Sequence, residues 1–339
     1  MAEERAIVVG AGDVSNAWFP PLAAEGVRVA AVVDIRLEAA RAQIGRYGLE
    51  AEASSDLAAM LGKYSPDVVI DLTVPSAHCE VTCTTLRAGA HVLGEKPMAT
   101  SLGDARRMIA ASEETGRMFM VSQSRRWDRQ RDVVRRVVRS GALGAVTMVN
   151  CEFCVGVHPG GFREEMASPL LLDVAVHHFD LLRFMTGLEP ATVYCREYSP
   201  IGSWFRGAAA ASAVFEMEGG AVFTYVGSRC AEGCRTSRSG DWRIVGTQGT
   251  VVYENDEAPH GELVVGDEGI DRPVTPLSIP SPVLEFEGMH GALREMLAYL
   301  RGGPVTQCEC HDNMRSLAMA LSAIESSARG ERVVVQGTG

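Results

Sequence analysis

Three titratable side chains, Asp173, His177 and Asp180, interrupt an otherwise apolar run, Leu170-Leu171-Leu172-Asp173-Val174-Ala175-Val176-His177-His178-Phe179-Asp180-Leu181-Leu182. At about 100° per residue, the i, i+4, i+7 spacing predicts that their directions differ by at most about 60°, one stripe on one helix. Such a stripe faces water, a partner or a substrate cleft. Imidazole moves protons at neutral pH, and a carboxylate one turn away sets its tautomer and raises its basicity. The competing reading makes Asp173 a helix N-cap and His177 with Asp180 a satisfied buried pair. His178, about 100° round the helix, reads as structural.

A second candidate is the ammonium of Glu95-Lys96-Pro97, which follows the apolar run His91-Val92-Leu93-Gly94. That is the carboxyl end of a sheet strand, where ligands of open α/β sheets bind. Pro97 biases Lys96 to extended geometry and admits a cis bond, either of which would aim the ammonium into a cleft. A lysine placed so hydrogen-bonds a reacting hydroxyl or carbonyl. The alternative is a surface lysine paired with Glu95.

The third feature is Gly10-Ala11-Gly12-Asp13-Val14-Ser15, directly after the first apolar run. The first glycine allows a tight turn, the second lets backbone N–H groups approach a pyrophosphate, and a following helix adds its positive end. Gly10, Gly12, Asp13 and Val14 are therefore candidate cofactor contacts, with Ser15 in the third glycine position. Asp34 lies 22 residues after Gly12 at the end of the next run, where a carboxylate accepts both ribose hydroxyls. That carboxylate repels a 2′-phosphate, so NAD is preferred over NADP. Arg36, two residues on, partly offsets the repulsion. Pro20-Pro21 should stop or kink the first helix.

These groups need a scaffold, and the chain supplies one. Continuous apolar runs at 6–9, 29–33, 68–72, 91–93 and 118–121 indicate strands covered on both faces, with helical patterns at 37–47, 57–63, 77–88 and 102–115 between them. That alternation predicts right-handed crossovers and a parallel sheet. Beyond about Arg125 strands dominate, at 146–155, 192–198, 211–217, 221–228, 242–245 and 250–253, followed by a helix at 312–328 and, at 333–335, an edge strand or a tail packed on the other domain. The pattern is thus α/β with a parallel sheet in the first part and an antiparallel sheet with a few helices in the second.

The 339 residues carry 32 basic and 43 acidic groups, a net charge of −11, which argues against general nucleic-acid binding. No apolar stretch reaches the ~20 residues needed to span a bilayer. The charged start Met1-Ala2-Glu3-Glu4-Arg5 resembles no signal peptide, so the nine cysteines point to a reducing, cytoplasmic setting. Cys151/Cys154, Cys230/Cys234 and Cys308/Cys310/His311 resemble fragments of a zinc site, but none forms a complete ligand set, and no metal is expected.

Taken together, Gly10-Ala11-Gly12, Asp34, Thr73-Val74-Pro75-Ser76-Ala77-His78, Glu95-Lys96-Pro97, Arg125-Arg126-Trp127, Asp173-x-Ala175-x-His177-x-x-Asp180 and the closing Ala323-Ile324-Glu325-Ser326-Ser327-Ala328-Arg329-Gly330 carry a resemblance. Over nearly the whole chain they resemble the glucose-fructose oxidoreductase, inositol dehydrogenase and rhizopine catabolism family, Gfo/Idh/MocA. The resemblance implies Lys96, Asp173 and His177 as the catalytic set, and adds Thr73, Pro75, His78 and Glu95 to the cofactor contacts. It implies the fold class as well, an α/β N-terminal Rossmann domain plus an α+β C-terminal domain with a large open, mainly antiparallel sheet, with residues 1–124 expected for dinucleotide binding and 125–339 for substrate binding and oligomerisation, and a homodimer or homotetramer through that sheet. Three departures stand out: Ser15 for the third glycine, Ala175 for a usual glycine, and Ala167-Ser168-Pro169 where many members carry a glycine run.

The expected function is NAD(P)-dependent hydride transfer at a secondary alcohol or ketone of a sugar, cyclitol or related polyol. His177 takes the hydroxyl proton, Lys96 polarises the same oxygen, and Asp173 orients His177 or substrate. Arg125, Trp127, His158 and Arg163 are candidate substrate contacts, with Arg126 beside them and Asp180 behind His177. Alternatives are an NAD-dependent glycoside hydrolase working through transient oxidation, a non-catalytic NAD(H)-binding regulator, and, most remotely, a zinc alcohol dehydrogenase.

Overall fold

The computed structural model describes residues 4–337, so the opening Met1-Ala2-Glu3 lies outside the described residues. The chain divides into two compact units, 1–127 with 285–314, and 128–284 with 315–339. A single boundary at 124/125 falls three residues short of the first crossing and omits the return of 285–314 to the first unit. That return has an apolar cause. Helix Gly288–Leu300 buries Ala292, Leu293, Met296 and Leu297 in one cluster with Trp18, Phe19, Leu22 and Trp127.

The first unit holds β1 (Arg5–Val9), β2 (Arg28–Val33), β3 (Glu52–Ser54), β4 (Val68–Asp71), β5 (His91–Glu95) and β6 (Phe119–Ser122). They pair in parallel in the order β3-β2-β1-β4-β5-β6. This is the doubly wound order, with its switch point between β1 and β4. Every residue of β4 is buried, as two-sided cover by helices requires. Helices Leu37–Tyr47 and Leu102–Thr115 each end on a left-handed glycine, Gly48 and Gly116, and the second starts on Ser101, whose hydroxyl caps the Asp104 N–H. The edge strand β3, only three half-buried residues, carries too little pattern to be read from sequence.

The segment after β1 differs from expectation. Asp13–Ala17 forms a single 3-10 turn, and a short α-helix, Phe19–Ala24, begins rather than stops at Pro20 and Pro21. Their missing N–H groups cost nothing in a first helical turn, where those donors have no partner anyway.

The second unit holds β7 (Val146–Cys154), β8 (Pro190–Tyr198), β9 (Ala210–Met217), β10 (Val222–Ser228), β11 (Asp241–Gly246), β12 (Gly249–Tyr253), β13 (His260–Val264), β14 (Val274–Pro276) and β15 (Val333–Val334). Their order is β14-β13-β12-β11-β7-β10-β9-β8-β15, antiparallel throughout except for β7 with β10. Burial alternates along β9 with period two, so one face is covered and the other open. On the covered face Phe179, from helix Val176–Thr186, meets Phe215 and Tyr225 edge-on at 5.1 and 5.3 Å. The edge strand expected at the chain's end is β15.

Candidate functional site: a nucleotide cradle and a buried Asp-His segment

In the first unit the candidate residues gather at the carboxyl edge of the sheet. Gly10 takes φ +97°, and a Cβ there would lie 2.6 Å from the Leu72 carbonyl oxygen, so only glycine fits. Gly12 is extended, and a Cβ on it would meet nothing within 4 Å. The space it opens on is a cavity of about 440 Å³ bordered by Gly10, Gly12, Asp34, Arg36, Thr73 and Val74. Asp34 is locked there: Oδ2 accepts the Ala11 N–H and Oδ1 the Arg36 N–H, each at 2.8 Å. One lone pair per oxygen is so engaged, and others remain for hydroxyl donors. The Arg36 guanidinium stands 3.8 Å from Asp34, largely in solvent. Ser15, in the third glycine position, is fully buried and turns its hydroxyl onto the Gly12 carbonyl at 2.6 Å.

These features fit a dinucleotide: a glycine that no side chain can replace, open space at the second glycine, and a fixed carboxylate on the same cavity. Asp13 and Val14 open the 3-10 turn, so its N–H groups rather than a long helix dipole would meet a pyrophosphate.

Thr73 is fixed by the buried Asp71, which accepts both its N–H and its hydroxyl, at 3.1 and 2.6 Å. Pro75 lies half-buried in the loop that follows. His78 differs from expectation. Its ring is 2% exposed, with Nδ1 2.8 Å from the Pro97 carbonyl oxygen and Nε2 3.0 Å from that of Thr73. It ties the β4 loop to the β5 turn instead of facing a cofactor. Glu95 is likewise internal: Trp18 Nε1 donates to its Oε1 at 3.0 Å, and burial raises its pKa against the pull of the Lys96 charge. Lys96 itself is half-buried, and its bond to Pro97 is cis.

Two side chains weighed as substrate contacts in this unit are packed into its interior. Trp127 is buried in the apolar cluster described above, against Gly291, where a Cβ would lie 2.5 Å from the indole. An indole's large apolar area is worth more in a core than on a rim. Arg126 is buried too, donating to the Gln307 carbonyl and to Asp312 at 2.6 Å, which anchors the returning segment. Arg125 is half-buried on the same turn.

Cys310 and His311 lie with Glu309 close enough for a metal. Glu309, however, caps helix Cys310–Arg329 by accepting the His311 and Asp312 N–H groups. The His311 ring sits between Glu309 and Glu113, at 2.7 and 3.0 Å, and burial pushes the Cys310 thiol up to about 12. The group is a helix cap with an ion triad rather than a ligand set.

In the second unit, Pro169–Ala175 is π-helical and only Val176–Thr186 is α-helical. The wider i→i+5 turn replaces, over Pro169–Ala175, the single α-helix that the spacing predicts. All three titratable groups are buried. Asp180 accepts from the Ser316 hydroxyl at 2.8 Å, Ser316 accepts from Arg183, and Arg183 pairs with Glu189 at 2.8 Å. Asp180 thus belongs to a packing network. His178 meets the Tyr225 hydroxyl at 3.1 Å and lies against Phe153.

Asp173 is held by a residue that sequence reasoning missed. Arg229 Nη1 donates to its Oδ2 at 2.9 Å and to the Pro169 carbonyl at 3.1 Å, while Arg163 Nε stands 3.4 Å from the same Oδ2. Burial lowers the Arg229 pKa, and Asp173 partly restores it. The only signal for Arg229 in the sequence is a charge closing the β10 run. Of the remaining expected contacts, Arg163 joins Asp173, and the exposed His158 stacks on Trp204 at 3.9 Å with Nε2 3.3 Å from Glu232.

Residues 5–123 match the model of an oxidoreductase family with an NAD-binding Rossmann fold, and residues 131–252 match the GFO/IDH/MocA C-terminal domain. The chain is 25% identical to inositol 2-dehydrogenase from Rhizobium meliloti across 97% of this chain and 98% of that one. It is 24% identical to 1,5-anhydro-D-fructose reductase from Ensifer adhaerens over the same shares. Its fold matches, with a TM-score of 0.85 and 22% identity over 98% of this chain and 99% of the other, an oxidoreductase from Agrobacterium radiobacter solved with NAD+, L-tartaric acid and magnesium.

Proposed function

The chain belongs to the Gfo/Idh/MocA family of NAD-binding oxidoreductases, and from that premise we propose that it oxidises or reduces a secondary carbinol of a sugar, cyclitol or related polyol. The observation that carries this reading is the placement of Lys96 on the turn after β5, on the same sheet edge as the Gly10 cradle and the Asp34 carboxylate. Asp34, Gly10, Gly12 and the turn N–H groups of Asp13 and Val14 hold the dinucleotide, with Thr73 and Pro75 beside it. When bound, NAD takes the hydride of the carbinol carbon or returns it.

The chain's own groups handle the oxygen and its proton. His177 accepts the hydroxyl proton in oxidation and gives it back in reduction. Lys96 offers an ammonium that disperses negative charge developing on a carbinol or carbonyl oxygen. Asp173, fixed by Arg229, orients His177 or a substrate hydroxyl. His78 and Glu95 position the Lys96 turn from beneath.

The fixed carboxylate of Asp34 favours NAD over NADP, because a 2′-phosphate beside it meets like charge. Apolar groups on the open face of the second sheet, among them Tyr194, Val214 and Val226, support a homodimer or homotetramer. Among the described residues no helix is long and apolar enough to cross a membrane, and the reading includes a cytoplasmic location. The test is a spectrophotometric screen of sugars, inositols, amino sugars and sugar acids with both cofactors. Turnover with NAD that His177→Ala abolishes is the expected result. Turnover untouched by that change would overturn the assignment.

A further inference from the structure

The amino edge of the first sheet borders a second cavity, of about 670 Å³, at the opposite end of the strands from Gly10 and Lys96. Its wall lies wholly within the first unit: Glu4 before β1, Asp67 before β4, His91 opening β5, Arg117 ahead of β6, and Arg301 from the returning segment. The His91 ring sets the chemistry of that wall. Its Nδ1 accepts the Met118 N–H at 2.9 Å, so the proton of the neutral imidazole sits on Nε2. Burial first, and then the charge of Arg117, hold the His91 pKa below its ordinary value, which keeps the ring neutral. Arg117 Nη1 stands 3.4 Å from that same Nε2. Both groups are donors and neither can accept from the other. The pair therefore calls for an acceptor shared between them, and among the described residues Arg117 pairs with no carboxylate.

Opposite charge stands beside it. Asp67 Oδ2 accepts the Arg5 N–H at 2.8 Å, its Oδ1 meets no donor among the described residues, and its charge acts on the His91 ring against that of Arg117. Arg301, by contrast, is spent on Glu4, donating from Nε and Nη2 to the two carboxylate oxygens at 2.6 and 3.0 Å. Glu4, Asp67, Arg117 and Arg301 are the charged side chains of the wall, two of each sign. Their charges cancel, so a ligand of no net charge leaves the cavity balanced.

We propose that this cavity binds a small zwitterion of the α-amino acid class, its carboxylate bridging Arg117 and the Nε2–H of His91 and its ammonium facing Asp67. A carboxylate brings two acceptor oxygens to the two donors. A simple anion gains Arg117 but meets the like charge of Asp67, and a simple amine meets the reverse. The site lies at the far end of β5 from Lys96, and the inference does not rest on the hydride-transfer reading.

The experiment titrates the full chain, with and without NADH, with the standard α-amino acids by calorimetry. The best binder is then compared with its analogue lacking the ammonium, its analogue lacking the carboxylate, and inorganic phosphate; for alanine the first two are propionate and ethylamine. Wild type, Arg117→Gln and Asp67→Asn are measured. Both side chains are exposed, and Asn keeps an acceptor for the Arg5 N–H, so unfolding midpoints should stay unchanged. In parallel, nitrogen NMR of histidine-labelled protein follows the His91 ring. An α-amino acid should bind saturably, shift the His91 Nε2 resonance, and lose about 10- to 100-fold in affinity with either substitution, as loss of a charged hydrogen bond implies. Absence of saturable binding across the set overturns the proposal. So does equal binding of either single-charge analogue, tighter binding of phosphate, or an affinity indifferent to Arg117→Gln. None of these measurements uses turnover, so their failure leaves the proposed oxidoreductase activity standing, and its failure leaves this site standing.

Discussion

The two units build their candidate sites from different materials. In the first, recognition is made of backbone: a glycine at φ +97°, open space at Gly12, N–H groups in a 3-10 turn, and one carboxylate pinned by two N–H donors. In the second the candidate groups are buried side chains: Asp173 gripped by Arg229, and His177 one residue into an α-helix that follows a π turn. Backbone recognition depends on local conformation, which a few residues determine. Side-chain recognition depends on partners far off in the chain, because a buried charge is tolerated only when something distant compensates it.

The largest effect expected from that contrast is kinetic and confined to the second unit. His177→Ala should lower kcat by about 10²- to 10⁴-fold while NADH affinity, measured by fluorescence titration, stays within error. A parallel loss of NADH binding would erase the distinction between the units. Next comes stability: Arg229→Met takes the closer guanidinium away from the buried Asp173, with Arg163 3.4 Å from the same oxygen, and should cost about 3 kcal/mol in denaturant unfolding. A change below about 0.5 kcal/mol, the usual range for surface substitutions, would mean that the pair is not what holds the π segment.

A smaller effect belongs to the first unit. Asp34→Ala should weaken NADH binding about tenfold and narrow the gap to NADPH, as loss of a charged hydrogen-bond acceptor implies. Tighter NADPH than NADH binding by the unaltered chain would contradict the electrostatic argument. The smallest is a pH effect under the Lys96 turn. Burial raises the Glu95 pKa, so the native state favours the protonated acid. Its contribution is present in full below the ordinary glutamic acid pKa and declines as pH rises through the higher native value. Glu95→Gln should therefore show a flatter fall in stability over that window than the unaltered chain. An identical pH profile for the two would remove Glu95 as the source.

The same contrast explains what could be read from sequence. The apolar runs of β1, β2, β4 and β5 and the Gly10 turn were legible because covering both faces of a strand, or needing positive φ, leaves a mark on adjacent residues. Lys96 and Asp34 followed from those marks, since each closes a strand. The return of 285–314, the burial of Trp127 and Arg126, and the hold of Arg229 on Asp173 were not legible, because each is settled by a partner 56 or more residues away. The π turn at Pro169–Ala175 was hidden for another reason: the residues of an apolar run do not distinguish i→i+5 from i→i+4 bonding. His78 lay between these cases, visible in a motif but with its role decided by carbonyl groups of two separate loops.

The central claim is that Lys96 and His177 both serve the proposed hydride transfer. A double-mutant cycle in kcat/KM tests it, with Lys96→Met, His177→Ala and the pair, on whichever substrate the screen identifies. Groups that act as one device lose little more together than the worse one loses alone, and that strong non-additivity is the predicted result. Losses that simply multiply, or a Lys96→Met enzyme with full turnover, would contradict it.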